Sequence, residues 1–180
     1  LPIILTLSIE TNGRTMMGIT PSDLVNLQPD LSTPLAAYGT NCGLGASEVV
    51  AAVINMRQAA DLAGVDPILV AKGNCGIPEW IDGKICYSGT PELMASYAKM
   101  AMDAGARIIG GCCGTSPEHI AVMREAIDNH VTSGVPSHDD ITSTLGVITS
   151  GAKAQMSGDL SIAGGAAGPG KKASGRSRRR

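Results

Sequence analysis

Aromatic side chains are almost missing from this chain: there is no phenylalanine, one tryptophan (Trp80) and three tyrosines (Tyr38, Tyr87, Tyr97). So few rings exclude a platform on which successive nucleic-acid bases could stack. Charge of one sign is lacking too. Fourteen lysines and arginines face 16 acidic residues, a net charge of −2, so nothing draws the chain strongly to nucleic acid or an anionic membrane. No apolar run approaches the ~20 residues of a membrane helix, and no secretory signal is visible. The five cysteines, an odd number, include no Cys-x-x-Cys pair. That speaks against both a disulfide framework and a dithiol redox motif, and fits a reduced, cytoplasmic protein. The chain also lacks an initiating methionine. Leu1 to Leu7 already reads as a strand, so the chain is expected to be a piece of a longer protein.

What is present is organised around Ile108-Ile109-Gly110-Gly111-Cys112-Cys113-Gly114-Thr115-Ser116-Pro117-Glu118-His119. An apolar strand, Ala106 to Ile109, runs into glycines and two adjacent thiols, and a helix opens with Pro117 in its first turn. Ser116 or Thr115 can cap that helix, and Thr115-x-x-Glu118 fits a capping box. Neighbouring residues on a regular strand point to opposite faces, so both thiols reach one point only where the strand has ended. In parallel α/β sheets that end carries the chemistry.

Four strand–helix units follow one another. The strands are expected at 2–9, 35–39, 68–72 and 106–109. The helices are expected after Thr20 (short, cut by Pro29 and Pro34), from a Ser47 cap to about Ala63, from Thr90 to Gly105, and from Pro117 to about Val131. Glu79 to Gly89 fits a small hairpin. Such alternation predicts right-handed crossovers and a parallel sheet, and four units make half of an eight-fold barrel. A half-barrel has two open strand edges, so it is expected to need its other half and leaves room for a homo-oligomer. Residues 1–131 form this unit, and 132–180 are expected to be a flexible tail. Within the tail, Ile141 to Ile148 fits a short helix or strand. The Gly/Ala/Ser-rich remainder ends in Lys171-Lys172 and Arg176-x-Arg178-Arg179-Arg180 and reads as a solvated segment.

Cys42, Cys75, Cys112 and Cys113 all fall at strand ends, which a parallel sheet brings together. Three thiolates can hold Zn²⁺ with a fourth position open, the layout of a catalytic site. Cys42 and Cys75 compete for the third place, and spacing does not separate them. Cys86 reads as a small buried hydrophobe. A thiolate-rich zinc suits the binding and deprotonation of another thiol, since a free thiol near pKa ~8.5 is only slightly ionised at neutral pH. That chemistry is alkyl transfer to sulfur. A thiol redox or sensor role for Cys112-Cys113 is the alternative from another class.

Gly39-Thr40-Asn41-Cys42 together with Gly110-Gly111-Cys112-Cys113-Gly114-Thr115-Ser116-Pro117-Glu118-His119-Ile120 resembles the zinc-dependent homocysteine S-methyltransferases. That family includes betaine–homocysteine methyltransferase and the homocysteine domain of cobalamin-dependent methionine synthase. The resemblance covers Leu1 to Val131. It implies an α/β fold matching strands five to eight, the second half, of a (β/α)8 TIM barrel. It also implies zinc ligation by Cys42, Cys112 and Cys113. Asn74-Cys75-Gly76-Ile77-Pro78 resembles the family's Asn-x-Gly loop, which makes Cys75 a bystander and places Asn41 and Asn74 beside the substrate. The implied reaction joins the thiol of homocysteine to a donor methyl group to give methionine. Betaine is the favoured donor, because Thr15-Met16-Met17-Gly18-Ile19-Thr20-Pro21 loosely resembles the betaine enzymes' loop. S-methylmethionine, methylfolate and methylcobalamin stay open. Glu118 is read as a cap and His119 as facing solvent. The family's strands one to four are absent, so an inactive half-barrel is the alternative reading for the isolated chain.

Overall fold

β-branched and aliphatic residues run together in the strands at Ile4–Ser8, Leu69–Gly73 and Ala106–Gly111, whereas the strand at Ala37–Cys42 carries Gly39 and Asn41 within it. A computed structural model describes residues 1–10, 12–76 and 78–159. It places β1 at Ile4–Ser8, β2 at Ala37–Cys42, β3 at Leu69–Gly73 and β6 at Ala106–Gly111. These four are parallel and hydrogen-bonded in the order β1-β2-β3-β6. Helix α1 (Pro21–Asn26) lies between β1 and β2 in the chain, α2 (Ala46–Ala63) between β2 and β3, and α3 (Pro91–Asp103) between β3 and β6. The product is an α/β layer of parallel strands flanked by helices, compatible with part of a TIM barrel. Register brings the strand ends level: Ser8 pairs with Asn41, Cys42 with Gly73, and Gly73 with Gly111. The loops leaving those ends therefore share one rim.

The core lies between this sheet and α2. Val50, Ala51, Val53 and Met56 of α2 are fully buried, as are Met94 and Tyr97 of α3. Because α2 is enclosed on more than one side, it has little amphipathic contrast, and its alanines allow close approach. The expected hairpin is present: β4 (Pro78–Ile81) and β5 (Lys84–Tyr87) pair antiparallel. It interrupts the connection between β3 and α3.

Helix ends differ from the sequence reading in three places. The residue preceding α2 is Gly45, with no side-chain cap, while the Ser47 hydroxyl donates to the Val147 carbonyl at 3.3 Å. Helix α4 spans Pro117–Asp128 and stops short of Val131 at Asn129, whose side chain bonds the Glu125 carbonyl. Its capping box joins Ser116 and His119, not Thr115 and Glu118. Ser116 takes the extended cap backbone one residue later, so position N3 falls on His119.

The larger difference concerns the expected flexible tail from 132 onward. Two further helices, α5 (His138–Leu145) and α6 (Ser150–Met156), pack on α2. Ile141 is fully buried, and Leu145, Ile148 and Ala152 join it in the main core. The Gly/Ala/Ser composition that suggests a solvated segment serves close packing here. Gly151 lies so near Asn12 that a Cβ would not fit. The basic cluster from Lys171 to Arg180 lies outside the described residues.

Candidate metal centre

Three thiols meet on the rim where β2 and β6 end. Cys42, the last residue of β2, has a left-handed backbone (φ +56°), and Gly43 follows at +69°. A non-glycine residue there costs about 1–3 kcal/mol, and such strain gathers at functional sites. The turn releases Cys42 from the strand's alternation of faces. On the other side β6 ends at Gly111, and Cys112 and Cys113 lead into Gly114 at φ +75°. The Cys42 sulfur is 2.8 Å from that of Cys112 and 3.7 Å from that of Cys113, and the latter two are 3.9 Å apart. All five cysteines are free thiols.

The donor set fits a soft metal ion. Zn–S bonds of 2.3 Å in a tetrahedron put sulfurs about 3.8 Å apart. Two of the three separations match that edge, and the Cys42–Cys112 pair is closer. Cys42, Cys112 and Cys113 form the one group of three or more potential ligands found among the described residues. Cys42 and Cys112 are half-buried and Cys113 is exposed, so the cluster is open on one side.

Beneath the thiols the backbone is tightly laced. The Cys112 amide donates to the Gly73 carbonyl at 2.8 Å, and the Cys75 amide to the Cys113 carbonyl at 2.9 Å. The buried Tyr97 hydroxyl accepts from the Gly73 amide at 2.9 Å and donates to the Gly110 carbonyl at 3.4 Å, which joins β3 to β6. Burial pushes the Tyr97 pKa far up, so it stays a neutral donor. Asn74 Nδ2 donates to the Gly43 carbonyl at 3.0 Å, and its Oδ1 accepts from the Cys113 amide at 3.2 Å. Asn41 donates to the Ser8 hydroxyl at 3.3 Å, one strand away from Asn74.

The model of the homocysteine S-methyltransferase family matches residues 1–127. The chain belongs to the homocysteine S-methyltransferase family. Both cysteine motifs of this methyltransferase-family chain lie inside the matched span, and α5 and α6 lie beyond it. Among the described residues no helix is long and apolar enough to cross a membrane.

The structure also separates Cys75 from the cluster. Its side chain is 1% exposed, and its thiol donates to the Gly89 carbonyl at 3.2 Å. Burial pushes its pKa up. Its other neighbour is His119 Nε2 at 3.1 Å. His119 Nδ1 takes the Ser116 amide proton at 3.0 Å, which assigns the ring proton to Nε2, directed at the Cys75 sulfur. His119 is therefore a cap and a bridge to the β3 loop instead of a solvent-facing group, while Glu118 is exposed. Cys86, expected to be buried, is exposed on β5.

Tyr87 is the residue that sequence reasoning misses. At the end of β5, its ring packs against Gly114 so closely that a Cβ there would not fit. Its pKa is raised, first by the interaction of its hydroxyl with Cys113, then by burial and the nearby sulfurs. A lone tyrosine in a short hairpin carries no motif, and only the fold of β4–β5 over the rim reveals it.

Proposed function

We propose that Cys42, Cys112 and Cys113 hold Zn²⁺ and that the protein transfers a methyl group to the thiol of homocysteine, giving methionine. The observation that carries this reading is the convergence of three sulfurs from β2 and β6 within 4.8 Å of one another, in a chain of this family. Zinc bound there would supply an open position at which a substrate thiol gives up its proton and remains nucleophilic.

The chain's residues do the rest. The backbone bonds under the rim hold the three sulfurs before substrate arrives, so little ordering is left for the reaction. Tyr87, whose ring lies against Gly114 beside Cys113, is proposed to offer its O–H to the thiolates and so moderate the negative charge that three of them bring together. Asn41 and Asn74 are proposed as polar groups beside the substrate. The substrate sulfur attacks the donor methyl carbon in line. A C–S bond forms as the donor's bond to that methyl breaks, and the donor departs with the electron pair.

Betaine is the donor proposed first, on the Thr15–Pro21 loop, whose Met16 and Met17 are exposed. The proposed partners are homocysteine, the small-molecule donor and a complementary half-barrel along the β1 and β6 edges, in the cytoplasm, without nucleic acid or membrane. The decisive experiment is a methyl-transfer assay on the full-length protein, offering homocysteine with betaine, S-methylmethionine, methylfolate and methylcobalamin in turn. Methionine formed with one donor and abolished by a zinc chelator is expected. No methionine with any donor overturns the assignment.

A further inference from the structure

The two loops that bring the thiols together come from strands that are not neighbours: β3 separates β2 from β6. Something at the end of β3 must therefore hold them in register, and Asn74, the first residue after β3, does so. Its side chain is 5% exposed. One end of the amide donates to the carbonyl of Gly43, next to Cys42, at 3.0 Å. The other end accepts from the amide of Cys113 itself at 3.2 Å. A single planar amide thus spans the gap between the two ligand-bearing turns and fixes one peptide in each. Asparagine suits this place because it has a donor and an acceptor on one rigid group. Aspartate would set a carboxylate oxygen against the Gly43 carbonyl, and leucine would leave two backbone groups without partners.

We propose that Asn74 is a positioning residue of the metal centre, a clamp that sets the separation of Cys42 from Cys112 and Cys113 and holds Cys42 in its left-handed turn. The proposal rests on the zinc reading above and deepens it. Cys42 at φ +56° and Gly43 at φ +69° form a turn that the strand does not itself favour. The Asn74 amide ties down the carbonyl that leaves this turn. Released from the clamp, Cys42 relaxes toward ordinary backbone, and its sulfur leaves the place where it meets the other two. Partners that orient ligands from behind typically cost 10–100-fold in metal affinity when removed.

The test compares the full-length protein with Asn74→Ala and Asn74→Asp, measuring zinc affinity against a chromophoric chelator well below the melting temperature of each metal-free variant. Asn74→Asp keeps the volume and one of the two bonds. A loss of zinc affinity of roughly tenfold or more in both variants is expected, with the ordinary far-ultraviolet dichroism of the parent. An affinity within twofold of the parent in a folded variant overturns the proposal. A measurement on the unsubstituted protein stands beside it: the Asn74 side-chain protons, followed by nitrogen-edited NMR, are expected to exchange slowly with water. Rapid exchange overturns the clamp even if neither variant folds. Failure of the zinc reading looks different, because the parent itself then takes up no zinc while the Asn74 protons remain protected.

Discussion

At the scale of single residues, the three rim thiols and Cys75 differ in what surrounds them, and their substitutions should differ accordingly. Cys112→Ser or Cys42→Ser replaces a soft donor by a poor one in a three-sulfur set. Zinc bound per chain, counted after dialysis, is expected to fall below half of the parent value, and methyl transfer should fall with it. Cys75→Ala should instead keep the full zinc content. It removes a buried thiol bonded to Gly89 and His119, so its cost should appear in urea denaturation, at about 1–2 kcal/mol. Equal zinc loss in both kinds of variant would show that Cys75 belongs to the centre. Without the family resemblance, residue spacing alone does not distinguish Cys42 from Cys75, since both end a strand beside glycine. The difference lies in the local backbone: Cys42 turns left-handed onto the rim, whereas Cys75 turns into the interior beneath α4.

At the scale of elements, α6 and the packing of α5 into the core are the part that composition hides. The strands and α2 to α4 are legible because glycine, proline and helical spacing mark their bounds within a few residues. The α5–α6 segment is legible only in part: Ile141 to Ile148 fits the short helix that α5 forms as far as Leu145, but α6 packs through small residues such as Gly151 and Ala152, and helices this short depend on contact with α2 and α3. Ile141, fully buried, tests this. Ile141→Ala should destabilise the chain by roughly 2–5 kcal/mol in urea denaturation, whereas a residue in a solvated tail would cost almost nothing. Glu48 adds a pH signature to the same contact. It is 2% exposed in the first turn of α2 and accepts the Thr149 amide that opens α6. Desolvation raises its pKa above the ordinary 4.5, more than the Thr149 hydrogen bonds lower it. A carboxyl with a raised folded pKa binds its proton more tightly in the folded chain. Its contribution to stability is fully present below pH 4.5 and is lost as pH rises through the folded value. Glu48→Gln cannot ionise, so its melting temperature should gain on the parent's as pH rises from 4.5 toward 7, about the neutral range. A constant difference across that range would contradict the raised pKa.

At the scale of the whole molecule, the parallel order β1-β2-β3-β6 leaves an outer edge on β1 and another on β6 that pair with no strand among the described residues. Ile3 and Ile4 near the first edge and Ile108 on the second are exposed. Such edges invite pairing. The isolated 180-residue chain should therefore self-associate with rising concentration in sedimentation runs, and Ile108→Lys should weaken that association. A chain that stays monomeric at high concentration would show that the edges are blunted in another way. The sequence reading reaches the open edges by counting strand–helix units. It does not reach the hairpin's role, because placing Tyr87 against Cys113 depends on how β4–β5 folds back over the rim.

The proposed methyl transfer requires three sulfurs to share one zinc and leave it a vacancy for a fourth. Zinc-edge X-ray absorption on the full-length protein tests it most directly. A shell of three sulfurs at about 2.3 Å that becomes four on adding homocysteine is expected. A shell dominated by nitrogen or oxygen, or a sulfur count that homocysteine does not change, would contradict it.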